Sequence, residues 1–141
     1  MKKIAVVYWS GTGNTEAMAE AVAAGIRENG AEAELFRADC FEASMMEAYA
    51  AIAFGCPSMG SEELEESEFA PMFAACAGGL AGKKIALFGS YGWGDGEWMR
   101  NWEADCKQKG AVLACQSVIC NDAPDDDAKN ACKALGAALA G

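Results

Sequence analysis

The chain has no histidine among its 141 residues. This removes the commonest general acid and base, so any enzymatic chemistry here would not be built on proton-shuttling side chains. No two of the seven cysteines are spaced C-x-x-C, so the usual Cys/His zinc patterns are also absent. We expect ordinary buried or partly exposed thiols in a reducing compartment. The cysteines are Cys40, Cys56, Cys76, Cys106, Cys115, Cys120 and Cys132.

Positive charge is scarce. Eleven Lys and Arg residues face 21 Asp and Glu residues, for a formal net charge of −10. A nucleic-acid backbone and an anionic membrane surface both require Lys and Arg, so neither is expected as a partner. The charge favours docking onto basic faces of other proteins.

Long apolar runs are absent as well, which argues against a bilayer-spanning segment. Met1–Lys3 leads into an apolar run too short for a signal peptide. Hydrophobic residues nevertheless make up 52% of the chain, enough for one substantial core. We therefore expect a cytoplasmic, monomeric protein with a single domain over residues 1–141.

Apolar runs alternate with segments of helical periodicity, which predicts an α/β protein. Strands are expected at residues 4–8, 33–37, 50–55, 85–89 and 111–119, the last with a break near 115–116. A helix is expected after residue 14, and the acidic run 62–68 leads into a second that ends near 77. Further helices are expected at 97–109 and at 124–139, and a short helix or turn at 44–49. This βα alternation, counted five times, predicts a parallel sheet with helices on both faces. In such a sheet the ligand lies at the carboxyl ends of the strands, where loops 10–15, 56–62 and 90–96 should converge.

Loop 10–15 joins the first predicted strand to the first helix. Its glycines allow a tight turn with exposed N–H groups, which together with hydroxyls can surround an anion at a helix N-terminus. The loop lacks the Gly-Lys-Ser/Thr of a P-loop and the glycine spacing of a dinucleotide fingerprint. A terminal monophosphate bound by neutral donors fits best, and a ligand-free glycine-rich turn is the alternative. The loop residues are Ser10, Gly11, Thr12, Gly13, Asn14 and Thr15.

The other two loops each place a large apolar side chain beside glycine, Met59 in one and Trp93 in the other. Such side chains are poorly placed on a loop unless something covers them. A flat aromatic ligand between a thioether and an indole is one explanation, and two plugs folded back onto the core are the other.

Several neighbouring residues have two interpretations. The acidic run Glu62–Glu68 is either a solvated helix N-terminus or a docking face. Trp98 and Trp102 form an i, i+4 pair, which favours packing of their own helix over contact with a ligand. Asn121 and Asp122 follow the fifth strand and are weaker candidates for the ligand site.

Trp9–Thr15 resembles the phosphate loop of flavodoxins, and Met59–Glu62 and Gly89–Gly96 resemble the two ring loops of the short-chain flavodoxins of anaerobic bacteria. The resemblance covers essentially the whole chain and weakens after about residue 104. It implies a flavodoxin-like three-layer sandwich, with a five-stranded parallel sheet in the order 2-1-3-4-5. It also implies FMN as the cofactor, lying across the ends of strands one, three and four.

The resemblance assigns the 5′-phosphate to loop 10–15, the two ring faces to Met59 and Trp93, and the ring edges to the remaining loop residues. Met59, Gly60, Ser61 and Trp93 would tune the redox chemistry, and the Glu62 carboxylate would contact the N3 edge. Ser61 departs from the acidic residue that some relatives have after this glycine. The expected FMN-binding residues beyond loop 10–15 are Ser58, Met59, Gly60, Ser61, Glu62, Ser90, Tyr91, Gly92, Trp93, Gly94 and Asp95.

The implied function is that of a low-potential one-electron carrier that uses the semiquinone/hydroquinone couple and shuttles electrons between redox enzymes with basic docking faces. A glycine at 60 permits a positive φ, so that the 60–61 peptide can reorient. An FMN-dependent reductase with a nicotinamide or quinone substrate is the alternative. A ligand-free interaction or response-regulator module is a third possibility, although it needs an acidic pocket where this chain has Tyr8–Ser10.

Overall fold

Six strands form one parallel sheet in the computed structural model, which describes residues 2–141. The order is β2-β1-β3-β4-β5, with β6 also paired to β4, and every pair is parallel. This confirms the predicted fold class and strand order. The predicted domain boundary at Met1 lies outside the described residues. The strands are β1 (Lys3–Tyr8), β2 (Glu32–Arg37), β3 (Ala51–Gly55), β4 (Lys84–Tyr91), β5 (Val112–Leu113) and β6 (Val118–Asn121).

The fifth position of the sheet is divided between two short strands. β5 pairs with the start of β4, at Lys84 and Ile85, and β6 pairs with its end, from Phe88 to Tyr91. The break predicted near 115–116 is confirmed at residues 114–117, and the strand continues to Asn121, beyond its predicted end. Those few residues leave no room for a long insertion, as expected of the short-chain type.

Four α-helices flank the sheet within residues 2–141, where the sequence pattern predicted four helices and one short helix or turn. That short segment forms a 3-10 helix at residues 43–48. The acidic run leads into the second helix as expected, and that helix begins at Phe69. None of the described helices is both long and apolar enough to span a bilayer. The helices are α1 (Asn14–Glu28), α2 (Phe69–Cys76), α3 (Glu97–Gln108) and α4 (Asp126–Ala140).

Successive residues of the central strands point into two different cores, one on each face of the sheet. Ile4 and Val6 of β1 join the core beneath α1 and α4, whereas Ala5 and Val7 join the core beneath α2 and α3. Strands β1 and β3 are buried on both faces, as expected for the centre of a parallel sheet. The result is a three-layer sandwich whose carboxyl edge carries the three loops.

Trp98 and Trp102 are both buried in the core between α3 and the sheet. The Trp98 Nε1–H donates to the Cys56 carbonyl at 3.2 Å, and Trp102 packs edge-on against Phe69 and Phe73. Packing of their own helix, predicted from the i, i+4 spacing, is confirmed.

Candidate cofactor site

The three predicted loops meet at the carboxyl edge of the sheet. The parallel register continues past the strand ends, because Trp9 N donates to Gly55 O at 3.0 Å and Ser58 N to Ser90 O at 3.0 Å. Between the loops lies a cavity of about 230 Å³. It is lined by Trp9, Gly11, Thr12, Asn14, Pro57, Ser58, Met59, Ser90, Tyr91, Gly92 and Asp122.

Loop 10–15 presents a group of free backbone donors. Gly13 has φ +96° immediately before α1, a left-handed conformation that suits glycine, and its amide donates to Ser10 Oγ at 3.1 Å. Among the described residues, no acceptor receives the amides of Gly11, Thr12, Asn14 or Thr15. Four unpaired N–H groups at the positive end of a helix form a site for an anion.

The two threonine hydroxyls of this loop differ in their surroundings. Thr12 is exposed and lines the cavity. Thr15 is buried, and its Oγ1 lies 3.4 Å from Ser90 Oγ. Thr15 therefore connects the first loop to the third, whereas Thr12 is open to a ligand.

Residues 59–63 form a closed turn. Met59 and Glu63 exchange both backbone hydrogen bonds, at 2.8 and 2.9 Å, and the residues between them include Gly60 with φ +52° and Glu62 with φ +58°. The positive φ expected at Gly60 is observed. The turn is fixed at its base, so only the peptides of residues 60–62 are free to reorient.

Glu65 anchors the segment between that turn and α2. Its carboxylate accepts from the amides of Ser67, Glu68 and Phe69, each at 2.8 Å, and from the Ser67 hydroxyl, while its own amide donates to Cys56 Sγ at 3.3 Å. Burial opposes ionisation, but these hydrogen bonds outweigh it and hold the pKa of Glu65 at about 2. The interpretation of the acidic run as a solvated terminus is therefore wrong at this residue, which is only 5% exposed.

The two large apolar side chains do not plug the core. Met59 is 37% exposed and Trp93 is 61% exposed, so the core-plug interpretation is wrong. Met59 lines the cavity, and Trp93 stands exposed on the neighbouring loop. Exposed apolar surface beside a cavity is a typical feature of a site for a flat ligand.

The third loop is braced from α3 and from β6. Arg100 donates from one guanidinium nitrogen to Asp95 O and from another to Asp95 Oδ1, both at 3.0 Å. The Asp122 amide donates to Tyr91 O at 2.8 Å. Of the two weaker candidates after the fifth strand, Asp122 lines the cavity, whereas Asn121 pairs with Tyr91 in the sheet.

Sequence reasoning did not assign two of the lining residues, Trp9 and Pro57. Trp9 precedes the first loop directly, and its Nε1–H donates to Glu68 Oε1 at 2.8 Å. An aromatic residue between a buried strand and a phosphate loop was the available signal. Pro57 follows Cys56 at the end of β3 and carried no comparable signal.

Glu62 provides a test of whether the site suits a flavin. Its Oε1 is buried and has no hydrogen-bond partner among the described residues. A buried acceptor without a donor is costly, and the N–H on the edge of a flavin ring is a donor of the required kind. The site thus combines unpaired donors for a phosphate, exposed apolar surface for a ring and an unpaired acceptor for the ring edge. These features fit FMN.

The fold and the site together define an α/β protein that holds a mononucleotide at the carboxyl edge of a parallel sheet. The family model described as Flavodoxin matches residues 6–135, and this chain belongs to the flavodoxin family. Flavodoxins carry FMN for electron transfer and are not enzymes in their own right.

Relatives of known identity agree over nearly the full chain. The flavodoxin of Megasphaera elsdenii is 44% identical over 137 residues, covering 97% of this chain and 98% of that protein. The flavodoxin of Clostridium beijerinckii is 42% identical, covering 96% of this chain and 97% of that protein. The solution structure of two-electron reduced Megasphaera elsdenii flavodoxin superposes with a TM-score of 0.90, at 45% identity and covering 97% and 98% of the two chains.

Proposed function

We propose that this protein binds FMN in the cavity between its three loops and works as a low-potential one-electron carrier between redox enzymes. The observation that carries the proposal is that two of the three loops have complementary unpaired groups. Four free amides belong to loop 10–15, and the buried, unpaired Glu62 Oε1 belongs to the turn 59–63. The bound FMN would supply an acceptor and donor of single electrons.

Loop 10–15 would hold the phosphate. Its free amides and the Thr12 hydroxyl are neutral donors, and the loop contains no Lys or Arg. The α1 N-terminus adds partial positive charge without adding a full cation near the ring. The anchor would therefore give affinity while leaving the electrostatic field at the ring negative.

Met59 and Trp93 would cover the ring faces and exclude water from them. Both side chains are large, apolar and exposed at the site. Covering them with a flat ring removes apolar area from water, which favours binding at roughly 25 cal/mol per Å². Glu62 would accept a hydrogen bond from the ring edge and so fix the orientation of the ring in its plane.

The charges around the ring loops would make the carrier low-potential. Segments 56–68 and 90–96 contain several carboxylates and no Lys or Arg. The nearby Arg100 is already paired with Asp95. Each carboxylate about 10 Å away opposes addition of an electron by roughly 0.4 kcal/mol before salt screening. Several of them together oppose full reduction of the cofactor.

The same carboxylates would form a docking face. Glu63 and Glu66 are exposed beside the turn 59–63, and a partner with a basic face would be drawn to the edge of the site. The donor and acceptor would thus be oxidoreductases with Lys- and Arg-rich surfaces. A monomeric state and a cytoplasmic location remain predictions of the sequence.

The proposal is tested by the visible spectrum of the FMN-loaded protein during stepwise anaerobic reduction. We expect two resolved one-electron steps, the second at low potential. Failure to bind FMN would overturn the proposal. Direct bleaching of the flavin by NADH or NADPH, without a partner reductase, would point to an FMN-dependent reductase instead.

A further inference from the structure

Gly94 lies directly against the carboxylate of Glu62, although the two residues belong to different loops. A Cβ built on Gly94 would lie 2.2 Å from Glu62 Oε1 and 2.6 Å from Glu62 Cδ. These distances are far below van der Waals contact, so any side chain at 94 would displace the carboxylate. The backbone of the third loop therefore covers the end of the Glu62 side chain.

Packing, more than hydrogen bonding, holds the Glu62 carboxylate there. Its Oε1 is buried without a partner among residues 2–141, and its own backbone has the uncommon φ of +58°. Both features cost free energy in the absence of a ligand. The placement persists because the turn 59–63 aims the side chain and the glycine opposite leaves space for it.

Gly30 also has a positive φ, but its surroundings differ from those of Gly94. Gly30 has φ +83°, close to the +88° of Gly94, and a Cβ there would meet nothing within 4 Å. At Gly30 only the backbone conformation calls for glycine. At Gly94 both the conformation and the neighbouring carboxylate do.

We propose that Gly94 is a positioning residue that acts through Glu62, an inference that rests on the proposed FMN site. The missing side chain at 94 lets the carboxylate reach the N–H on the ring edge. The third loop thereby sets FMN affinity through a residue of the second loop. A substitution at 94 acts mainly by moving Glu62, more than by straining its own loop.

A double-mutant cycle on FMN affinity tests this, with the dissociation constant measured by flavin fluorescence for the wild type, Gly94→Ala, Glu62→Ala and the double variant. Loss of a hydrogen bond to a charged acceptor predicts weakening by about tenfold to 100-fold in each single variant. On the Glu62→Ala background, Gly94→Ala should add less than about threefold. Gly30→Ala, the matched control for positive φ, should leave the dissociation constant unchanged.

Thermal unfolding of the apoproteins gives a second readout without FMN. Gly94→Ala should lower Tm more than Gly30→Ala does, and the excess should disappear in the Glu62→Ala background because the carboxylate is gone.

Equal weakening by Gly94→Ala in both Glu62 backgrounds, or no weakening in either, would overturn this proposal alone. A wild-type protein unable to bind FMN would overturn the proposed function and this inference together.

Discussion

The first loop and the turn 59–63 both follow a buried parallel strand, and both depend on glycine. They differ in the groups that they present: the first loop presents amide donors, and the turn presents carboxylate acceptors. In loop 10–15 the glycines leave four amides free at the start of a helix, and no side chain there carries a full charge. In the turn, the paired backbones of Met59 and Glu63 enclose Gly60, and several glutamates lie in the turn or follow it directly. Loop 10–15 presents hydrogen-bond donors at fixed positions. The turn 59–63 presents acceptors, and its 60–61 peptide can reorient.

This difference separates affinity from redox tuning. A phosphate needs donors that do not move, and a helix N-terminus provides them. A ring whose charge changes with each electron needs a neighbour with two accessible conformations, which glycine allows. Four variants test the two loops, taken from the largest expected effect to the smallest, and one of them, Glu65→Gln, tests the stability of the segment that follows the turn.

Removing the hydroxyls of the first loop should weaken FMN binding without changing the potentials. For Thr12→Ala combined with Thr15→Val, the variant loses the Thr12 bond to a charged group and the Thr15–Ser90 contact between the loops, which predicts a cost of roughly 2 to 4 kcal/mol. Titration of apoprotein with FMN measures the affinity, and a redox titration at saturating FMN measures the potentials. The Thr12→Ser, Thr15→Ser variant keeps both hydroxyls and serves as control. Equal affinity in the first variant would show that the phosphate lies elsewhere.

Replacing Glu65 should destabilise the fold in a pH-dependent way. Its folded-state pKa of about 2 lies below the ordinary value of 4.5, so its stabilisation is present above pH 4.5 and is lost as the pH falls through about 2. We expect Glu65→Gln to cost about 3 kcal/mol at pH 7 and much less near pH 2. Urea unfolding at both pH values measures this. The exposed Glu66→Gln is the control, and a pH-independent loss would contradict the assignment.

Changing Gly60 should affect the potentials more than the affinity, the reverse of the threonine variant. Alanine at φ +52° costs roughly 1 kcal/mol, which raises the cost of reorienting the 60–61 peptide. Because this cost falls on the one-electron-reduced form, the two one-electron potentials should move toward each other by about 40 mV each, and their separation should narrow by on the order of 80 mV. A redox titration measures the separation, and Ser61→Ala, which leaves Gly60 intact, should change it less. An unchanged separation in Gly60→Ala would contradict a role for the peptide.

Neutralising one exposed carboxylate beside the turn should have the smallest effect. Glu66→Gln is expected to make the second reduction easier by at most about 0.4 kcal/mol, and less as salt is added. The midpoint potential at low and high ionic strength measures this. Glu32→Gln, at the start of β2 and the opposite edge of the sheet, should show no shift. An equal shift in both variants would mean that net charge matters more than position.

Much of the site could be predicted because its residues are contiguous in sequence. Loops 10–15, 56–62 and 90–96 each follow an apolar run, and the parallel topology brings strand ends together whatever the details of packing. Two features escaped prediction because they depend on contacts between distant segments. Glu65 is drawn inward by Cys56 Sγ and the first amides of α2, whereas its neighbour Glu66 stays exposed. Trp9 reaches across to Glu68.

In the fold as well, locally encoded features could be predicted, and features that depend on contacts between distant segments could not. Apolar periodicity placed most of the strands and helices, and the alternation of βα units gave the strand order together with the family resemblance. It left segment 43–48 undecided between a helix and a turn, where the structure has a 3-10 helix. The sequence did predict the break in the fifth strand near 115–116, but not the continuation of that strand to Asn121, which depends on where β4 offers partners.

The sequence by itself determined the sheet, the three loops, the uncharged glycine-rich first loop and the acidic surroundings, because each is encoded in local residue pattern and composition. Only the tertiary structure decided which carboxylates are buried, which hydroxyls face the cavity and that Gly94 lies against Glu62. The physical reason is that burial and close approach depend on register between strands far apart in the chain. Pattern fixes which backbone conformations are accessible, and packing then selects the neighbours of each side chain.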